Sequence, residues 1–417
     1  MLTIQLRLLS VFFLVTLTLT NAFAQNKQPH VILISLDGFR HDYIERFQPK
    51  NLTEFVNGGV AAESLIPSFP SKTFPNHYTI ATGLKPENHG LVDNTFYDPK
   101  KDQIYSIGNR EVVQDKYWYG GTPIWVLAER QGITSASYFF VGSEAPVQDT
   151  YPTYFHQYDG EIPNLQRISK VFEWLNMPDE ERPRMITLYF SDMDDVGHIY
   201  GPNNDEKLEA KLTTLDAQLG ALFEGVKSFD LDVNIILVSD HGMTDVTKDR
   251  LIALDEIVKD LPVEVYNNGA LAHIHLKNSK DKKKVSRALN KNKGNFTVAD
   301  IEDKEYYKNI DKYRDLLGDF LILPDLGYYL AFPRDMMRYQ QKASMFDTEA
   351  FGEHGYDPSH KDMHGIFYAN GPAFRSGIEI ESVENTDVYP LIAKILELKI
   401  SEEIDGKLER IEKALKP

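Results

Sequence analysis

A chain of 417 residues with 42% hydrophobic composition can bury a large core, as one domain with an insertion or as two, which removes disorder as the default reading. Its formal charge of −17 repels polyanions, so long nucleic acid is not an expected partner, whereas a small phosphate ester can be bound through metal cations. There is no cysteine, so disulfides play no part in its stability.

Residues 1–24 carry Arg7, an apolar run from Leu8 to Leu19, and Ala22-Phe23-Ala24, the small-x-small pattern of a signal-peptidase site. The run is about 12 residues against the roughly 20 that a spanning helix needs. The expectation is a signal peptide cleaved after Ala24, a mature chain from Gln25, and a periplasmic or secreted enzyme with no membrane anchor after cleavage.

Val31 to Leu36, Ser135 to Val141, Met185 to Phe190 and Val233 to Ser239 are short, continuously apolar runs, the pattern of strands buried on both faces of a mostly parallel sheet. Helical periods lie between them, at Leu52 to Val56 and Glu206 to Phe229. This alternation predicts an α/β fold with a central sheet flanked by helices. Over residues 251–332 the texture changes to short segments such as Ala270 to Leu276 and Phe320 to Leu323, with a solvated Lys-rich turn expected at Ser279 to Lys284. This stretch reads as a smaller α+β insertion. His364 to Ala369 reads as a late core strand and Tyr389 to Leu398 as a closing helix.

Asp, His and Thr residues fall where these elements end. Asp37-Gly38 and Asp240-His241-Gly242 follow apolar strands, and the carboxyl ends of parallel strands are where such sheets gather ligands. A lone Asp there can equally be a turn residue. Asp194 and His198 are four apart, so they share one face of a helical turn, with Asp192 and Asp195 as competing carboxylates. Thr73-Phe74-Pro75 precedes Asn76 to Thr82 and Gly83, which predicts a helix with Pro in its first turn and Gly as its stop. Thr73 is then either an ordinary cap or a hydroxyl nucleophile beside helix N–H groups that favour phosphate. His354 has rivals in His360 and His364, while His77 and His89 read as makers of structural hydrogen bonds.

The string TFPNHYTIATGLKPENHGLVDN, from Thr73 to Asn94, closely resembles the nucleophile region of the nucleotide pyrophosphatase/phosphodiesterase family, within the alkaline phosphatase superfamily. The motif order extends the resemblance over nearly all of residues 30–400. It implies an alkaline-phosphatase-like α/β/α sandwich over residues 25–417 and two zinc ions per chain. Asp37, Thr73, Asp240 and His241 would hold one ion, and Asp194, His198 and His354 the other. His354 is singled out by its context, Gly352-Glu353-His354-Gly355-Tyr356-Asp357. Two divalent ions would balance the three carboxylates and a Thr73 alkoxide.

The resemblance further makes Thr73 the nucleophile of a phospho-threonine pathway that releases nucleoside 5′-monophosphate. It makes Asn94 the donor to a non-bridging phosphoryl oxygen, and Phe74 and Tyr158 the aromatic residues that sandwich a nucleotide base. The chain lacks the disulfide-rich flanking domains of vertebrate members and so resembles a bacterial minimal catalytic domain. Relatives that cleave monoesters carry a Lys-x-Arg pair near the position of Tyr158. Here the residues are His156-Gln157-Tyr158, which favours diesters and pyrophosphate bonds. The alternatives are a phosphomonoesterase of alkaline phosphatase type, a choline-type phosphodiesterase, and a non-catalytic zinc or nucleotide binder.

Overall fold

Eight strands form the central sheet in the order Ile378–Ile380, Val60–Ala62, Phe367–Asn370, Val233–Val238, His30–Leu36, Met185–Phe190, Ser135–Tyr138 and Tyr154–His156. Every pairing is parallel except the two made by Phe367–Asn370. The computed structural model describes residues 28–291, 294–309 and 311–417. The expected signal peptide, residues 1–24, lies outside the described residues. Among them, no helix is long and apolar enough to cross a membrane.

Both faces of the sheet are covered, which is why its strands read as unbroken apolar runs. Val31 and Leu33 face one layer, with Ile80, Trp125, Val388 and Leu391 of the helices Thr73–Thr82, Ile124–Arg130 and Val388–Ile395. Ile32, Ile34 and Leu36 face the other layer, built from Lys50–Asn57, Asn164–Leu175 and Asp205–Lys227. The long helix Asp205–Lys227 starts where Asn204 accepts from the Lys207 N–H, an N-cap that satisfies one of the free first-turn donors.

Three expectations are corrected. The strand beginning at Ser135 ends at Tyr138 rather than Val141, because Phe139 turns into the left-handed region at φ 70° and leaves the ladder. The Lys-rich stretch is not a turn: a 3₁₀ segment leads into the helix Lys282–Lys291, whose Val285 and Leu289, one turn apart, are fully buried. Two apolar side chains at that spacing give the helix a packing face and leave the lysines on the solvent side. The closing helix is shorter at its end, Val388–Ile395, with Glu397 in the left-handed region at φ 58°.

Within 251–332 lies a separate four-stranded antiparallel sheet in the order Val263–Asn267, Ala272–Leu276, Phe320–Pro324 and Phe296–Asp300. Its core joins Ala272, Ile274, Phe320 and Ile322 to Val285 and Leu289 of the lysine-bearing helix.

His89 is fully buried: its Nδ1 accepts from the Leu91 N–H at 3.1 Å and its Nε2 lies 3.0 Å from the Thr79 hydroxyl. Burial lowers its pKa from 6.5 to about 3. The unfolded chain therefore takes up this proton first, so the stability His89 contributes is complete above pH 6.5 and is lost as pH falls towards 3, at about 1.4 kcal/mol per pH unit. In the presence of chelator, urea unfolding at pH 7 and pH 5 is expected to show a loss of about 2 kcal/mol from this group. His89→Gln flattens that pH slope; an unchanged slope contradicts the assignment.

Candidate active site

Three adjacent parallel strands deliver the acidic residues to one edge. Asp37 follows His30–Leu36, Asp240 follows Val233–Val238, and Asp194 lies in the helix Asp192–Tyr200 that follows Met185–Phe190. Gly38 permits their approach: at φ +65° it takes a left-handed turn, and a Cβ there would stand 2.8 Å from the Asp194 Cα. Thr73 is the first residue of the helix Thr73–Thr82, one residue after the cap Lys72, and His354 follows the strand Ala350–Glu353.

The three histidines are oriented alike. The Nδ1–H of His241 donates to Gly242 O at 2.9 Å, that of His198 to Gly352 O at 2.7 Å, and that of His354 to Ser71 O at 2.9 Å. A carbonyl can only accept, so each Nδ1 carries the hydrogen and each Nε2 presents a lone pair. Those lone pairs face oxygens: His241 Nε2 lies 3.0 Å from Asp240 Oδ2 and 3.4 Å from Asp37 Oδ1, and His198 Nε2 lies 3.3 Å from Asp194 Oδ1. Asp37 Oδ1, Asp194 Oδ1 and Asp240 Oδ2 are buried and have no hydrogen-bond partner. Unpaired carboxylate oxygens opposite imidazole lone pairs are repulsive unless cations stand between them, and this donor set of oxygen and imidazole nitrogen suits zinc.

The electrostatics agree. Burial and the neighbouring Asp240 and Asp194 carboxylates push Asp37 well above the usual carboxylate range. Burial works against charge on Asp194 and Asp240 too, but His198 holds the first low and His241 with His77 the second. Burial opposes charge on His198, yet Asp194 lifts it to about 9, so with no cation present a proton takes the Nε2 lone pair that a metal ion would otherwise occupy. A field that draws a proton to this point also draws a metal ion.

Two groups of side chains offer atoms within 4.8 Å of one another: Asp194, His241 and His354, and Asp37, His77 and Asp240. His241 and His354 stack with ring centroids 3.5 Å apart, so the two expected ligand sets abut at these rings. His77 is in the second group because its Nδ1 lies 3.2 Å from Asp240 Oδ2, but both of its nitrogens are engaged, with Thr73 O at 2.9 Å and Ser35 Oγ at 2.8 Å. Those two bonds are the structural role read from sequence, and the ring adds only its electrostatic influence on the neighbouring Asp240. The rivals are occupied elsewhere: Asp192 accepts from Asn164, Asp195 from Ser191, and His364 is held between Ser64 and the Pro358 carbonyl.

Thr73 Oγ1 is 3.1 Å from His241 Nε2, and the hydroxyl donates to that lone pair. The Phe74 N–H donates to Asn94 Oδ1 at 3.0 Å, which fixes the Asn94 amide and leaves its NH₂ as the outward donor. Pro75 has no N–H and the Phe74 N–H is already bonded to Asn94, so two of the first-turn donors expected for an anion are unavailable.

Beside Thr73 opens a cavity of about 260 Å³ with Phe74, Tyr158, Phe139, Tyr189 and Asp194 in its wall. Phe74 and Tyr158, distant in the sequence, thus meet at one pocket. Glu144 pairs with Arg110 and accepts from the Tyr158 N–H at 3.0 Å. Sequence reasoning did not find Arg110, Glu144 or Tyr189. Tyr189 O–H donates to Asp37 Oδ2 at 2.7 Å, but it sits inside an apolar strand run where nothing distinguishes it from core.

Known proteins match along the same path. The model of the type I phosphodiesterase / nucleotide pyrophosphatase family matches residues 31–357. The chain is 32% identical over 397 residues to human ectonucleotide pyrophosphatase/phosphodiesterase family member 5, spanning 94% of this chain and 79% of that one. It is 35% identical over 391 residues to a venom phosphodiesterase of Crotalus durissus collilineatus, 89% of this chain and 45% of the snake protein, so it spans just under half of that enzyme's length. Among solved structures, murine ectonucleotide pyrophosphatase/phosphodiesterase 5 superposes with TM-score 0.83 at 30% identity, over 93% of this chain and all of the other. An inactive threonine-to-alanine variant of that murine protein, in complex with AMP, gives 0.84 at 29% identity over 93% of this chain and 100% of the murine one. Matched from its first sheet strand through His354, the chain belongs to the type I phosphodiesterase / nucleotide pyrophosphatase family.

Proposed function

We propose that this chain is a phosphoric diester hydrolase that cleaves nucleotide phosphodiester or phosphoanhydride bonds and releases nucleoside 5′-monophosphate. One observation carries the reading: Thr73 Oγ1, at a helix start, is bonded to His241 beside three carboxylates that each hold a buried, unpaired oxygen, at the mouth of an aromatic cavity. Asp37, Thr73, Asp240 and His241 would hold one zinc ion, and Asp194, His198 and His354 a second. Bound there, the ions supply Lewis-acid charge that lowers the Thr73 pKa and offsets negative charge on the reacting phosphate.

Thr73 Oγ forms a bond to phosphorus as the bond to the leaving oxygen breaks, giving a phospho-threonine. Water then cleaves that ester, returning the Thr73 hydroxyl and freeing the monophosphate. Phe74 and Tyr158 grip the base, and the Asn94 NH₂ steadies a non-bridging oxygen. A diester fits better than a monoester because His156-Gln157-Tyr158 offers no permanent cation and the nearby Arg110 is committed to Glu144.

The test is turnover of the nitrophenyl ester of thymidine monophosphate beside nitrophenyl phosphate. Diester preference is expected; monoester preference moves the chain to the phosphatase reading, and zinc binding without either activity points to a binder or to another diester such as a choline ester. Asn94→Ala is expected to retain zinc and lose about 10²–10³ in kcat, the usual effect of deleting one such donor. Equal activity removes Asn94 from the mechanism. Export with cleavage after Ala24 belongs to the same proposal, and the mature protein should begin at Gln25 on N-terminal sequencing.

A further inference from the structure

Asp93 and His273 are fully buried and lie 180 residues apart, yet His273 Nε2 is 3.1 Å from Asp93 Oδ2. The ring's Nδ1 bonds to the Leu317 carbonyl at 3.0 Å, so both ring nitrogens face acceptors. The other Asp93 oxygen accepts from the backbone N–H of Asn94 at 2.7 Å. One carboxylate thus joins the four-stranded sheet of the 251–332 stretch to the residue that bonds the Phe74 N–H. Two further contacts clasp the strand Thr95–Asp98 that follows directly: Asn268 Nδ2 donates to Thr95 O at 2.7 Å, and Tyr97 stacks on Tyr266 at 5.2 Å.

A buried carboxylate and imidazole are costly to desolvate, and simple packing needs neither. Asn268 and Tyr266 attach the second sheet as well, so the pair is not its sole anchor. What it adds is a fixed position for Asn94. An oxyanion donor acts only when held within a fraction of an ångström of its working geometry.

We infer that His273 is a positioning residue: through Asp93 it fixes the Asn94 backbone, so that the second sheet sets the aim of the Asn94 amide at the phosphoryl group. This rests on the role proposed for Asn94. It gives the second sheet a part in the chemistry although none of its strands carries a metal-ligand candidate.

Two substitutions each keep one of the two His273 bonds. His273→Asn places an amide where Nδ1 stood, keeps the donor to Leu317 and drops Asp93; His273→Gln places one where Nε2 stood and keeps the donor to Asp93. His273→Asn is expected to lower kcat about tenfold with KM and zinc content unchanged, while His273→Gln recovers most of the rate. In an Asn94→Ala background, His273→Asn should cost nothing further, because its effect runs through the missing amide. Equal losses in the two variants, or a full His273→Asn penalty in the Asn94→Ala background, overturns the inference. So does wild-type kcat in His273→Asn while Asn94→Ala is impaired. Wild-type kcat in Asn94→Ala instead overturns the role of Asn94 itself. If His273→Asn does not fold, Asp93→Ala breaks the same bond from its other end and is read by the same criteria.

Discussion

Replacing Thr73 by alanine is expected to lower turnover of a nucleotide diester by about 10⁴-fold or more, the scale seen when a covalent nucleophile is deleted. The fold should survive. Thr73 is the first residue of its helix, the cap position belongs to Lys72, and alanine is the best helix former. The nucleotide pocket should survive too, since Phe74 and Tyr158 are untouched, so the variant binds nucleoside monophosphate while turning over almost nothing. Thr73→Ser, which keeps a hydroxyl within reach of His241 Nε2, is expected to retain measurable activity. Substrate turned over by Thr73→Ala within about tenfold of wild type would mean that water attacks phosphorus directly and that no phospho-threonine lies on the path.

The sheet was legible in the sequence because both of its faces are buried: the runs at Val31, Met185 and Val233 needed no alternation to be recognised. The ends of those runs also marked Asp37, Asp194 and Asp240. Their convergence was not legible, because it depends on the strand order that puts His30–Leu36 between Met185–Phe190 and Val233–Val238. Spacing alone could not separate His354 from His364. The structure does so by hydrogen bonds, since both nitrogens of His364 are occupied whereas His354 keeps a lone pair on Nε2. Tyr189 was invisible for a different reason. Its immediate strand neighbours, Leu188 and Phe190, are apolar, and a phenol that serves a carboxylate looks the same in sequence as a phenol that serves the core. The lysine-bearing helix is hidden in the sequence because three consecutive lysines outweigh the Val285 and Leu289 pair that holds the helix against the second sheet.

Asp240→Asn is expected to produce the second large effect, a fall in zinc content below the two ions per chain proposed above and a loss of about 10³-fold in kcat, equivalent to several kcal/mol of transition-state stabilisation. The argument is electrostatic. Asp240 is fully buried, and its unpartnered Oδ2 lies 3.0 Å from the His241 lone pair, so the amide removes both a ligand atom and a charge at the point where the two are most concentrated. The thermal stabilities should carry the opposite signature. Chelation strips the wild-type protein of cations and leaves the buried Asp37 and Asp240 side by side with Asp194, so its Tm should drop steeply. The variant has less metal to lose and one fewer buried carboxylate to leave uncompensated, so chelator should change its Tm little, and the metal-free variant should melt above metal-free wild type. Equal chelator shifts in the two proteins would mean that Asp240 is not a ligand and that the His241 and His77 rings beside it, rather than an ion, compensate its charge.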